Sequence, residues 1–325
     1  MYFKSHELVE TAFAKIVASY ENREVLSGVA SGFYDFDAMT SGIHKSTLTV
    51  LGARPAMGKT AFVSNLASRM CLDEKQPVAI FTFDTSASQF MMRLLTLGAK
   101  IDANRLRTGH LHEKDWARLQ LAADQLKEAA LVIDDSCYTF DALANRCREL
   151  KKTPEGLFLV IIDEFQQLLT GEFDTNRDEN KPEAMRRLKA LAKELEIAIY
   201  VTSQLSRAPE YRKNKRPILS DFGRGAHVTD GPDVILFLYR DEYYYPESGQ
   251  RGEVDLIIAR QKEGPIGTVE LLYEASTNVF SNTVHTGGWT GDSAAGVPSG
   301  EGLKQKVDDG EDDEEPAVEF PLEGG

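Results

Sequence analysis

The amino-acid sequence predicts an α/β protein with a mostly parallel central sheet flanked by helices and an antiparallel hairpin at one sheet edge. Three observations carry that expectation. Between Thr47 and Tyr273 short apolar runs alternate with helical patterns, the order in which parallel strands are joined by covering helices. The run at 48–51 leads directly into Gly52, Ala53, Arg54, Pro55, Ala56, Met57, Gly58, Lys59 and Thr60, a gapless G-x-x-x-x-G-K-[ST] that opens a helix-like stretch from Ala61; strand, loop and helix in that order are the setting the motif requires. A later run, 157–162, ends in Asp163, a carboxylate at the carboxyl end of a buried strand.

The elements follow in chain order. Val9, Phe13, Ile16 and Tyr20 are spaced by four, three and four residues, an amphipathic helix over 5–20 with Ser5 as its N-cap. A polar break at 21–31 separates it from the main body. Apolar runs at 48–51, 78–83, 131–133, 157–162, 198–201 and 234–238 are the expected parallel strands. Trp116, Leu119, Ala123 and Leu126 recur at helical spacing and are expected in the core. Runs at 254–258 and 269–272, separated by the turn-prone Glu263, Gly264 and Pro265, are the edge hairpin. From 287 onward the chain is rich in Gly, Ser and acids without periodicity, and is expected to be disordered. The expected organisation is therefore a helix at 1–22, a body at 23–286 and an acidic tail at 287–325.

With 325 residues and 42% hydrophobic content, the chain can bury one substantial core. No stretch approaches the roughly 18 to 20 apolar residues of a membrane span, and Met1 leads into a polar segment, so the expected location is cytoplasmic, with no membrane partner. Cys71, Cys137 and Cys147 form no metal or disulfide pattern and read as reduced structural thiols; the six histidines show no ligand spacing. The net charge is −14, of which the tail, with eleven acids and two lysines, carries −9. The body is thus only mildly acidic, and a nucleic-acid partner is not excluded.

The chemistry of the glycine-rich loop is that of a phosphate cradle. Its glycines let backbone amides wrap phosphates, Lys59 is suited to reach the β and γ phosphates of ATP, and the Thr60 hydroxyl is suited to Mg²⁺. Asp163 stands where such a fold places the acid that orients Mg²⁺.

These motifs and their flanks resemble the RecA-like motor domain of DnaB-family replicative helicases. The residues that carry the resemblance run in order between Ser31 and Asn282: SGFYDFDAMTSGI at 31–43, GARPAMGKTAF at 52–62, MMRLL at 91–95, LKALAKEL at 188–195, TSQLSR at 202–207, YRDE at 239–242 and GPIGTV at 264–269. The resemblance implies a RecA-like P-loop NTPase core that hydrolyses ATP, assembles as a hexameric ring and moves 5′ to 3′ on single-stranded DNA, with a helicase loader or primase as further partners. It also makes the 5–20 helix similar to the linker helix that docks on a neighbouring subunit in that family; the sequence starts at that linker, so the expectation is either a protein that works without the family's amino-terminal primase-binding domain or a shortened form.

Residue by residue, the resemblance gives Gln204 the role of γ-phosphate sensor, with a plain surface residue after a strand as the competing reading. Arg93 matches an arginine that packs on the nucleotide base, against a solvated helix arginine. A Lys-Gln-Arg triplet of the family, whose cations reach into the next subunit's ATP, is here Arg260, Gln261 and Lys262. Both positions stay cationic with the types exchanged, and only a guanidinium forks bidentately. The family's DNA loop tends to read SDLRESGSIEQDAD; residues 220–233 read SDFGRGAHVTDGPD, so that Gly223, Arg224 and Gly225 are the expected DNA contacts, through one arginine and closely approaching amides.

For the water-activating carboxylate the sequence offers two positions. The family usually places Glu after the second strand, where this chain has Asp84, one methylene shorter; it usually has Tyr beside the magnesium acid, where this chain has Glu164. Asp84 is expected as the main base by position, with Glu164 in support. Two functions follow: an active helicase, or a nucleotide-dependent single-strand-binding ring with weak or no hydrolysis.

Overall fold

The apolar runs become strands of a single sheet in the computed structural model, which describes residues 26–137, 139–168, 177–223 and 231–283, positions 5, 9, 10, 13 and 17, and the backbone alone at 177–181. These residues belong to one unit, Met1–Thr283. The strands are β1 (Leu48–Ala53), β2 (Val78–Thr82), β3 (Leu131–Asp134), β4 (Leu159–Asp163), β5 (Ala198–Gln204), β6 (Val234–Tyr239), β7 (Glu253–Gln261), β8 (Gly267–Glu274) and β9 (Val279–Asn282), in the spatial order β3-β2-β4-β5-β1-β6-β7-β8-β9. The pairs from β3 to β6 are all parallel, and those from β6 to β9 antiparallel. Every residue of β1, β2 and β4 is buried, as expected of strands covered on both faces, which read as apolar runs rather than alternations.

The covering helices are α1 (Tyr34–Thr40), α2 (Lys59–Ser68), α3 (Ala87–Ala99), α4 (Ala103–Thr108), α5 (Glu113–Glu128), α6 (Phe140–Lys151), α7 (Phe165–Leu168), α8 (Arg177–Leu195), α9 (Ala208–Tyr211) and α10 (Asp241–Tyr244). Their starts follow local chemistry: Ser86 and Gln89 close a capping box on α3, and Asp102 accepts from the N–H groups of Asn104 and Arg105 at the start of α4. The sheet separates two apolar layers. Leu51 and Ala53 face one, with Phe33, Phe62, Phe90 and Phe280; Leu48 and Val50 face the other, with Phe165, Leu188 and Phe237. That alternation is the two-residue period of a strand.

Register decides where function sits. Ala53 lies beside Gln204, and Thr82 beside Asp163, so the carboxyl ends of β1, β5, β2 and β4 share one rim of the sheet. In open α/β sheets ligands bind along that rim.

One expectation is extended and one corrected. The hairpin at 254–258 and 269–272 does form, as β7 and β8, yet the sheet continues into β9, where Phe280 packs edge-on against Phe62 at 5.5 Å and stacks on Tyr273 at 4.5 Å. A four-residue strand is too short to show alternation. Trp116 is not in the core: it is 60% exposed, and Leu119 and Ala123 are only partly buried, whereas Leu126 is buried as expected and α5 buries Asp115 and Ala122 as well. Asp115 turns this face inward because Arg105, Arg118 and the His112 N–H all donate to its carboxylate, which satisfies a buried charge. The three cysteines are buried and free, as expected.

Of the amino-terminal helix, the described positions 5, 9, 10, 13 and 17 are helical, with Val9, Phe13 and Val17 exposed. Ile16, Tyr20 and the acidic tail lie outside the described residues, as do Arg224 and Gly225.

Candidate nucleotide-binding site

The loop that leaves β1 is shaped by two residues in the left-handed region, Ala56 (φ 64°) and Gly58 (φ 98°). At Gly58 a Cβ would also stand 3.2 Å from Phe280 Cζ, so only glycine gives both the turn and the close approach. Lys59 then opens α2, with Thr60 half-buried and Ala61 buried behind it. Helix start and loop amides together form an anion cradle. Gly52 is buried in β1, Pro55 and Ala56 are exposed, and Met57 turns its side chain into the core. Arg54 is held away from solvent, donating to Glu210 at 2.5 Å and to the Leu205 carbonyl at 2.8 Å.

Across the rim stands a group of carboxylates. Asp163 is buried at the end of β4 and accepts the Thr202 hydroxyl at 2.6 Å. Burial lowers the Lys59 ammonium from its ordinary value, against the opposing pull of Glu164, Asp163 and Asp84. Burial likewise raises the Glu164 carboxyl, opposed by Lys59 and reinforced by Asp163 and Asp84. Lys59, Asp84, Asp163 and Glu164 therefore share one electrostatic neighbourhood. Glu164 Oε1 is buried and has no hydrogen-bond partner among the described residues, whereas Asp84 is exposed.

Gln204 ends β5 as its one exposed residue. Its main chain is clasped from both sides by Gln166 of α7, which donates to the Gln204 carbonyl at 3.0 Å and accepts the Gln204 N–H at 3.3 Å. Sequence reasoning missed Gln166, whose contribution comes only from the packing of α7 on β5. Also missed was Arg240, which donates to the Ala56 carbonyl at 3.2 Å and lies 5.0 Å over the Tyr273 ring. Burial raises the Tyr273 hydroxyl above its ordinary value, opposed by the charges of Arg240 and Arg93. Arg93 itself is half-buried on α3, 6.0 Å over Phe90.

Arg260 and Lys262 are not brought to this site. Gln261 pairs with Val234, which is in register with Thr49, at the start of β1. Four residues of strand, about 13 Å at ~3.3 Å each, separate that register from Ala53, before the loop even begins. Gly223 has a left-handed φ of 103° and open space around it; the next two expected DNA contacts are among the undescribed residues.

A mostly parallel sheet with a phosphate cradle after β1, an acid after β4 and a polar residue after β5 defines a P-loop nucleotide-binding domain of the RecA-like class. The chain belongs to the DnaB-like helicase C terminal domain family, whose model matches residues 28–282. Among known proteins it is 39% identical over 276 residues to the replicative DNA helicase DnaB of Geobacillus stearothermophilus and 37% identical over 276 residues to the replicative DNA helicase DnaC of Bacillus subtilis (strain 168), in each case over 82% of this chain and 61% of the relative. Solved structures agree: one described as an ATPase domain superposes with a TM-score of 0.80 at 31% identity, covering 85% of this chain and 99% of that one. A DnaB-like replicative helicase studied for its interactions with primase gives 0.80 at 30% identity, covering 87% and 68%. The chain spans 61% of the length of the curated relatives named. Among the described residues, no helix is long and apolar enough to cross a membrane.

Proposed function

We propose that this chain is the motor of an ATP-driven ring helicase that travels 5′ to 3′ along single-stranded DNA and unwinds duplex during replication. The observation that supports it best is a division of the site: the cradle and its carboxylates lie at one end of the sheet, while Arg260 and Lys262 lie at the other. A second copy is then needed to complete each site, as in a ring.

Within one site, the amides of 54–60 and the Lys59 ammonium bind the phosphates, and burial of Lys59 strengthens that pairing. The donor set fits Mg²⁺: one hydroxyl, Thr60, and one buried carboxylate, Asp163, leave room for the phosphate oxygens and waters this ion keeps. When bound, the ion would neutralise charge on the phosphates. Glu164 takes the proton of the attacking water, and Asp84 assists. What supports Glu164 ahead of Asp84 is its Oε1, buried and without a hydrogen-bond partner among the described residues, since a buried acceptor without a donor costs about 1–3 kcal/mol and a positioned water would remove that cost. Gln204, fixed by Gln166, touches the γ-phosphate, and Arg93 lies against the base. Gly223, Arg224 and Gly225 contact DNA.

The second reading, a single-strand-binding ring with little hydrolysis, is favoured by the exposure of Asp84 and the exchange of lysine and arginine at 260 and 262. Strand displacement with ATP, measured beside ATP turnover, separates the two. Unwinding with turnover supports the motor; nucleotide-dependent DNA binding without either supports the passive ring. A loader or primase partner belongs to the same proposal, and co-sedimentation with each tests it.

A further inference from the structure

Asp233, one residue before β6, joins three segments. Its Oδ2 accepts the Leu48 N–H at 2.8 Å, where β1 begins, and the Lys189 ammonium of α8 at 2.5 Å, while its Oδ1 accepts Lys262 Nζ at 2.9 Å. Main-chain bonds repeat the pattern: Asp233 N–H donates to the Leu48 carbonyl at 2.8 Å, and Lys262 N–H to the Asp233 carbonyl at 3.0 Å. Burial opposes ionisation of this carboxyl, yet the two ammonium donors and the Leu48 amide hold it below the usual range. The cluster lines a cavity of about 390 Å³ together with Thr40, His44 and Gln261.

The two lysines are not equivalent. Lys189 is 17% exposed and also donates to the Ser46 carbonyl at 2.7 Å; it is a fixed part of the wall and can balance Asp233 by itself. Lys262 is 47% exposed, and among the described residues its ammonium makes the single bond to Asp233. An ammonium carries three donors, so Lys262 can stay on Asp233 and still donate to an oxyanion. Two cations on one carboxylate leave the cluster with one surplus positive charge, which favours an anion.

We infer that Asp233 is a positioning residue for Lys262: it holds that ammonium at the end of the sheet opposite the cradle for a phosphate of the nucleotide bound by a second copy of this chain. The inference rests on the proposed action of Lys262 across subunits. It also explains why a lysine can serve where the family has arginine: the carboxylate supplies the orientation that a guanidinium fork otherwise carries in itself.

The experiment uses the full chain and mixed rings. Asp233→Asn is expected to lower DNA-stimulated kcat on the order of 10- to 100-fold, the usual consequence of an ångström-scale misplacement, with the KM for ATP within about twofold of wild type. Mixed in equal amounts with Lys59→Met, which has no working cradle but an intact Lys262 and Asp233, it should regain turnover, because the Asp233→Asn cradle then meets a correctly held lysine. Lys262→Met mixed with Lys59→Met is the parallel arm. If Lys262→Met is rescued and Asp233→Asn is not, Asp233 acts through its own β1 and the inference fails alone. If neither is rescued, the trans reading fails and the inference with it. Should Asp233→Asn not assemble, Asp233→Glu, which keeps the charge but moves it by one methylene, takes its place; full turnover in that variant also overturns the inference.

Discussion

The ring of Phe222 fills the space that a side chain on Gly52 would occupy: a Cβ there would stand 2.8 Å from Phe222 Cζ and 3.0 Å from Leu205 Cδ2. Gly52 is the first residue of the phosphate loop, and Phe222 stands one residue before Gly223, where the expected DNA contacts begin. The first residue of the glycine-rich motif is thus packed against the residue that leads into the expected DNA contacts. Gly52→Ala should push the ring away and cost about 1–3 kcal/mol by overpacking, read as a shift in denaturant midpoint, and should weaken DNA stimulation of ATP turnover. Adding Phe222→Leu, which shortens the intruding side chain, should restore both. If Gly52→Ala lowers stability while leaving DNA stimulation untouched, the contact is packing and nothing more.

A second prediction ranks the carboxylates. Glu164→Gln should reduce ATP turnover on the order of 100-fold or more, in the range of a lost general base, whereas Asp84→Asn should cost no more than about tenfold. Equilibrium nucleotide binding, measured on the same variants, should stay close to wild type. The opposite ranking returns the role to the position after β2, where the sequence alone had put it.

Acid should weaken the packing of α4 on α5. The Asp115 carboxyl is held down at about 2, first by the His112 N–H and then by Arg118 and Arg105. A carboxyl lowered on folding stabilises above its ordinary value of 3.8 and loses that contribution as pH falls towards 2. The melting temperature of the wild type should therefore drop more steeply between pH 4 and 2 than that of Asp115→Asn, which lacks this titration. Parallel slopes for the two proteins would remove Asp115 from the account.

Exposed Val9, Phe13 and Val17 follow one another at four-residue steps on a helical segment, a stripe of the kind that a partner surface covers. Deleting residues 1–22 should abolish oligomers in sedimentation, and hexamers that persist would discard the docking role of this segment.

What the sequence made legible was whatever is contiguous. The cradle is a single run from Gly52 to Thr60, and Asp163 is marked by the buried run before it, so both could be placed without a structure. Gln166 and Arg240 were illegible because their importance lies in contacts across the fold, to Gln204 and to Ala56, that no local pattern announces. The Trp116 expectation failed for a related reason. Helical spacing defines a stripe but not where it stops: Leu126 is buried, while at the other end of α5 Asp115, held by two arginines, is buried and the neighbouring indole is exposed. Between Asp84 and Glu164 the sequence ranked by family position; it could not tell that Glu164 is half-buried and Asp84 exposed.

The separation of Lys262 from the cradle has a geometric consequence. In the proposed assembly, the surface that offers a cation and the surface that offers a nucleotide are different patches of one molecule. Two copies facing each other across a two-fold axis pair both patches only where the two share one face. On opposite sides of the molecule they call for head-to-tail repetition, which either closes after a whole number of equal rotations or, with any rise along the axis, climbs as an open spiral. A closed circle and a split washer are then two solutions of the same contact, and a strand threading the middle would meet the expected DNA contacts of successive subunits as steps of a staircase.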